Sequence, residues 1–297
     1  MKQLLVIGAS GLVGRRVYEL AKAAGLEVVG TSTHGSGTLA SFDLLRDAPE
    51  RLRDLLPLDT ETAVVVAAGK TEIRWCREHP REAYAINVAE MQRLLAYVVG
   101  QGTQAVWFSS DAVFDGRRGN YTETDKPSPL NLYGQQKAEM ETWLEDHLPQ
   151  VLVYRLAKLA DDRFEGRHLF SNLYQQYQSG QPIRCIEGLT FNPTAVDDIA
   201  ACVLLGLKQH LHGRYNVANP QSYTREQIAR LFVGDRPCMI ESLPLAVWHF
   251  SEPKALDTTL DTAKFQKACG GYAFQSMDEL LASFWQQIEA HGGGTPI

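Results

Sequence analysis

The stretch Leu4-Leu5-Val6-Ile7-Gly8-Ala9-Ser10-Gly11-Leu12-Val13-Gly14 decides the fold. Four apolar residues make a short strand buried on both faces. Three glycines follow at intervals of three, and a helical pattern then runs to about Ala24. In that context Gly8 permits a tight turn, Gly11 lets backbone approach a pyrophosphate, and Gly14 allows close packing of helix on strand. The start of the helix offers unpaired N–H groups and a positive dipole end to the phosphates. No Gly-Lys-Ser/Thr ending follows, which excludes a nucleoside-triphosphate loop. The loop therefore predicts a bound dinucleotide touched by Gly8, Ser10, Gly11, Leu12, Val13 and Gly14.

Working outward, residues 27–30 read as a second strand, 63–67 as an apolar strand covered on both faces, and 81–99 as a long helix. Residues 105–108 give another strand, 132–148 a helix and 151–155 a strand. Strands alternating with helices predict an α/β chain, a Rossmann doubly wound parallel sheet of six or seven strands. Beyond this point the texture changes. Residues 169–178 and 197–207 look helical, 215–217 form a short strand, and 224–232 make a helix whose Thr224 and Gln227 fit a capping box. The expected division is a NAD(P)-binding domain over 1–160, to which about 195–218 returns. A small C-terminal substrate-binding lobe takes most of 161–290, and 291–297 is a flexible tail.

Composition narrows the partners. The chain has 297 residues, a formal net charge of −6 and a pI near 5.8, which argues against nucleic acid. Cys76, Cys185, Cys202, Cys238 and Cys269 are scattered, with no Cys-x-x-Cys pair, so no metal site is expected. The N-terminal apolar run is too short for a signal peptide, and no stretch reaches the roughly 20 apolar residues of a membrane helix. These features predict a cytoplasmic protein with no membrane partner.

Cofactor choice is written where the second strand ends. An acid there would accept the ribose 2′-hydroxyl and favour NAD. The chain reads Gly30-Thr31-Ser32-Thr33-His34, with no acid before Asp43. Thr31, Ser32 and His34 are candidates to host a 2′-phosphate, so NADP(H) is favoured; with no arginine present, NAD(H) stays open.

The reacting groups follow. Tyr133 and Lys137 lie four apart at the start of a helix, hence on one face. The strand ending in Ser109 and Ser110 delivers them to the carboxyl edge of the sheet, where ligands bind in open α/β folds. A phenol with a pKa of about 10 is a poor acid or base at neutral pH. A nearby lysine ammonium and an oxidised nicotinamide ring are both expected to favour the phenolate and lower it toward working range. Ser110 would then hydrogen-bond the substrate oxygen while Tyr133 passes the proton and Lys137 holds the nicotinamide ribose.

Together these motifs resemble the extended short-chain dehydrogenase/reductase family, and within it the dTDP-4-dehydrorhamnose reductases and their sugar-nucleotide relatives. The carrying stretches are residues 8–14, Ala67-Ala68-Gly69-Lys70-Thr71, Tyr84-Ala85-Ile86-Asn87, residues 109–116 (SSDAVFDG), Tyr121-Thr122-Glu123, residues 129–134 (PLNLYG), Asn192-Pro193-Thr194 and residues 260–264 (LDTAK). The resemblance implies Ser110, Tyr133, Lys137 and Asn87 as the catalytic set. It places Asp43 and Leu44 beside the adenine, and Ala67, Ala68, Gly69, Asn87 and Ser109 along the cofactor. Lys70, Ser110, Asp111, Ala112, Phe114, Lys158, Arg167 and Asn192 would meet the substrate, with Arg163 and His168 near its diphosphate. The implied activity is reduction of a 4-keto sugar nucleotide, the small-molecule partner, by a chain that is either single or a homodimer. Two departures stand out. Family members carry a tyrosine where this chain has Ala112, and an Arg-Thr-Ser-Trp run where it has Arg155-Leu156-Ala157-Lys158. Losing both aromatics opens the sugar pocket and motivates a non-catalytic reading; an epimerase or dehydratase of the same fold ranks ahead of it as the second expectation. A cofactor-binding regulatory subunit, like the methionine adenosyltransferase β subunit with its similar Asn-Leu-Tyr-Gly element, is the third.

Overall fold

The computed structural model describes residues 1–163 and 168–291; Arg167 and residues 292–297 of the expected tail lie outside them. Seven strands form one parallel sheet: β1 (Gln3–Ile7), β2 (Glu27–Ser32), β3 (Ala40–Ser41), β4 (Thr62–Val66), β5 (Gln104–Ser110), β6 (Leu152–Leu156) and β7 (Gly213–Val217). Their spatial order is β7-β6-β5-β4-β1-β2-β3. This is the doubly wound Rossmann order with a seventh strand added at one edge, and it agrees with the fold expected from the sequence. The order reverses beside β1, so a crevice opens there at the carboxyl ends of β1 and β4.

Period-two alternation splits each strand between two cores. Leu4, Val6, Val65 and Val106 pack on one face against Val17 and Ala21 of the helix Leu12–Ala23 and Ile199 and Val203 of the helix Val196–Lys208. Leu5, Ile7, Val64, Val66 and Trp107 pack on the other, against Leu94 and Val98 of Glu90–Gly100 and Met140 and Leu144 of Leu132–His147. Strands covered on both sides read as continuous apolar runs, as these do. Arg16 and Asp197 pair across the first two helices and tie the later segment to the glycine-loop helix.

The single helix expected over 81–99 is broken into three parts. Pro80–Tyr84 leads into a π-helical turn, Ala85–Ala89, before Glu90–Gly100. That turn presents Asn87, an arrangement often found at functional sites.

A third core, centred on Phe284, joins the helices Leu169–Gln178, Arg225–Val233 and Met277–Ala290. A two-stranded parallel pair, Ile183–Ile186 with Ile240–Leu243, closes it. The Thr224–Gln227 capping box is present, with reciprocal bonds of 3.1 and 2.7 Å. A second box at Ser276 and Glu279 starts the last helix, worth about 1 kcal/mol by the usual N-cap effect. None of the described helices is long and apolar enough to cross a membrane.

Candidate active site

The glycine loop is built as its spacing requires at two positions. Gly8 has φ +86°, and a Cβ there would stand 2.8 Å from the Ala68 nitrogen. A Cβ on Gly14 would lie 2.3 Å from the Gly8 carbonyl oxygen. The loop is thus pressed against β4's exit with no room for a side chain. Gly11 is the N-cap of Leu12–Ala23, and no side chain caps that helix. Its first-turn N–H groups therefore remain for a ligand, in the arrangement that suits a phosphate.

From this loop a cleft of about 400 Å³ runs over Gly8, Ser10, Gly11, Ser32, Thr33, Asp43, Leu44, Ala67, Ala68 and Gly69. Two expected contacts need correction. Strand alternation turns the Thr31 side chain inward, fully buried with its hydroxyl unpartnered, while its carbonyl accepts from Ala9 N at 2.8 Å. His34 is exposed and lies outside the lining, where Thr33 takes its place. Lys70 also belongs to this compartment rather than to the substrate side, its ammonium 5.0 Å above the Trp75 ring.

The cleft continues into a compartment of about 350 Å³ lined by Leu12, Val13, Ser109, Ser110, Tyr133 and Lys137, and shares Gly11, Ala67, Ala68 and Gly69 with the first. Asn131 caps the helix carrying Tyr133 and Lys137 by accepting from Gly134 N at 2.9 Å. Lys137 Nζ donates to the Phe108 carbonyl at 2.7 Å and lies 4.3 Å above the Trp107 ring and 5.7 Å above that of Tyr133. Burial pulls Lys137 down to about 8, partly offset by the Glu141 charge. The protein groups around Tyr133 do not by themselves lower it. Burial raises its phenol, the Ser110 hydrogen bond only partly offsets this, and the Asp111 charge raises it further. Lys137 does not offset this, its ammonium being engaged by a carbonyl and lying over the phenol's ring.

Asn87 lines neither compartment. It is 2% exposed. Its Oδ1 accepts from Lys70 N at 2.8 Å, and its Nδ2 donates to Lys70 O at 2.9 Å and to Gln136 at 2.8 Å. It thereby clamps the loop after β4 to the helix bearing Tyr133, which is a positioning role. Ser109 likewise faces inward, donating to Glu141 Oε1 at 2.5 Å.

A third compartment, about 330 Å³, shares Ser110 and Tyr133 with the second. Asp111, Ala112, Phe114 and Lys158 line it as expected, joined by Asn172, Arg225, Lys254 and Thr258. Asp111 Oδ1 accepts from Ser110 Oγ at 3.0 Å and Oδ2 from Thr258 Oγ1 at 2.9 Å. Asn192 does not reach this space. Its amide is spent on Asn219 O at 2.9 Å and Leu260 N at 2.8 Å. Arg163 is committed to Asp161 at 2.9 Å and Glu19 at 3.3 Å, while His168 is buried and caps Leu169–Gln178. The sequence offered one signal for Arg225 that went unread: a cation at the first position of a capped helix, where the dipole disfavours it. Lys254 and Thr258 come from an irregular segment with no pattern to betray them.

Known proteins agree with this geometry. A probable low-salt glycan biosynthesis reductase, Agl14 of Haloferax volcanii, is 28% identical over 81% of this chain and 83% of its own. Methionine adenosyltransferase 2 subunit beta of Danio rerio is 32% identical over 52% of this chain and 47% of its own. The crystal structure of dTDP-4-dehydrorhamnose reductase from Bacillus anthracis str. Ames, in complex with NADP, superposes with a TM-score of 0.81 at 18% identity, covering 96% and 98% of the two chains. With the RmlD substrate binding domain model matching residues 1–286, the chain belongs to the RmlD family of the short-chain dehydrogenase/reductase type.

Proposed function

We propose that this protein is an NADP(H)-dependent reductase of a 4-keto sugar nucleotide. The observation that carries the reading is the shared wall. Ser110 and Tyr133 belong both to the cofactor channel and to the cation-lined compartment beyond it. A carbonyl placed against that wall has a hydroxyl pair on one side and the channel on the other.

When bound, the dinucleotide would supply the hydride. The chain's own residues do the rest. Backbone at Gly11, Leu12 and Val13 holds the pyrophosphate, and Ser32 and Thr33 receive the 2′-phosphate. Lys137 binds the ribose hydroxyls. Ser110 turns its hydroxyl from Asp111 to donate a hydrogen bond to the ketone oxygen, and Tyr133 delivers the proton to that same oxygen. A buried phenol keeps its proton at neutral pH, which suits a proton donor in the reducing direction. Arg225 and Lys254 meet the diphosphate from the C-terminal wall.

The test is oxidation of NADPH across a panel of 4-keto sugar nucleotides, followed at 340 nm with product identified by mass spectrometry. The expected result is one equivalent of NADPH consumed per ketone reduced. The likeness to methionine adenosyltransferase β chains supports a second reading, a regulatory cofactor-binding subunit. It gains if no ketone on the panel is reduced and a partner enzyme co-purifies in stoichiometric amount.

A further inference from the structure

We propose that the outer compartment takes an acidic keto sugar, a nucleoside-diphosphate sugar whose reacting ring carries a carboxylate bound by Lys158. This rests on the sugar-nucleotide reading above and narrows its substrate class.

Lys158 sits two residues past the end of β6. Its chain neighbours Ala157 and Leu159 line the cofactor channel, while Lys158 itself lines the outer compartment with Ser110 and Tyr133. It stands at the seam where the reacting ring must lie. Arg225 and Lys254 line the same space from the C-terminal helix Arg225–Val233 and the irregular segment before Thr258. Three cations therefore share one compartment.

Asp111 is the one carboxylate among the described lining residues, and both its oxygens accept from hydroxyls, those of Ser110 and Thr258. The Lys158 ammonium makes no hydrogen bond or ion pair with the described residues. The Lys158 and Lys254 side chains stay open to solvent and Arg225 is half-buried; the charges of Lys254 and Arg225 act against that of Lys158, and the Asp111 charge acts for it. A diphosphate brings two negative charges, which Arg225 and Lys254 can answer from their wall. A neutral ring seated over Lys158 would cover its ammonium and offer it no charged partner. A ring carboxylate supplies that acceptor through a charge-assisted hydrogen bond.

The experiment uses the full chain saturated with NADP⁺ and calorimetric titration with the uridine and thymidine diphosphates of glucose and of glucuronate. For whichever base binds better, the glucuronate form is expected to bind roughly 10- to 100-fold tighter, the usual value of a hydrogen bond to a charged group. Lys158→Met and Lys158→Gln should bring that ratio to about twofold or less, and Lys158→Arg should keep most of it. Retained NADP⁺ affinity reports an intact fold in each variant. Equal affinity for the two sugars in the unaltered chain, or a ratio that survives both neutral substitutions, overturns the acidic-substrate inference and leaves the sugar-nucleotide reading standing. Failure of all four ligands to bind a chain that still holds NADP⁺ overturns both.

Discussion

In the proposed reaction Tyr133 and Lys137 divide the work of one proton and one cofactor, and burial moves both away from the values of isolated side chains. Tyr133, 8% exposed, is held protonated by burial. Removing only its hydroxyl leaves the channel wall intact. Tyr133→Phe is therefore expected to lower turnover by about 10²- to 10⁴-fold, the usual contribution of a positioned acid. Cofactor affinity, measured by fluorescence titration with NADPH, should change little; full activity in that variant would sink the role. Lys137 makes a pH prediction. Burial holds it near 8, so it carries its charge below that pH and loses it above. NADPH affinity should accordingly be level near pH 7 and fall with a midpoint close to 8 as pH rises. Lys137→Met should bind weakly at neutral pH and show no such inflection; an unchanged profile would mean that another group titrates.

At the scale of the element, the helix Leu132–His147 repeats its four-residue spacing once more, placing Glu141 one turn beyond Lys137. Glu141 takes two bonds from Arg155, at 2.8 and 2.6 Å, and one from Ser109, with Arg214 at 3.3 Å. The Arg155 and Glu141 side chains are 0% and 1% exposed. Arg155→Met would leave the buried Glu141 carboxylate with only Ser109 and the longer Arg214 contact, and is expected to cost about 3 kcal/mol in urea denaturation, the lower end of what breaking one side of a buried pair costs. Gly14→Ala belongs to the same scale. Its Cβ would meet the Gly8 carbonyl at 2.3 Å, so the helix must back away from the loop. The expected loss is about 1–3 kcal/mol by overpacking, with a larger loss of NADPH affinity than of stability. Both elements were legible in the sequence because each depends on short-range spacing: three glycines around one turn, and a phenol and an amine one helical turn apart. Glu141's pairing with Arg155 was not, since the partners come from different elements and only the folded register of β5 on β6 brings Ser109 opposite Arg155. Thr31 and His34 were misread for a related reason. Three hydroxyls and a histidine look equivalent along the chain, but strand alternation buries the first, and the loop carries His34 past the cleft.

Across the whole molecule, three compartments joined end to end make one channel along the carboxyl edge of the sheet, with the C-terminal helices forming its far wall. Arg225 and Lys254 reach that channel from 69 and 98 residues beyond the end of β6 at Leu156, a distance no local pattern encodes. The shared lining has a thermodynamic consequence. Because Ser110 and Tyr133 face both the cofactor and the outer compartment, a bound dinucleotide supplies part of the surface on which the sugar rests. Sugar-nucleotide affinity should therefore be several-fold higher with NADP⁺ present than without it. Linkage requires the sugar nucleotide to tighten NADP⁺ by the same factor, so two titrations check one number. The same measurement separates a reductase from an epimerase or dehydratase. A reductase must exchange its cofactor at every turnover, so dialysis should strip the dinucleotide from purified protein, and added NADPH should restore binding of the sugar. An epimerase regenerates its cofactor in place and has no such need. Tightly retained NAD⁺ after dialysis, with interconversion of two sugar nucleotides and no net NADPH consumed, would move the assignment to that class while leaving Tyr133 and Lys137 in their places.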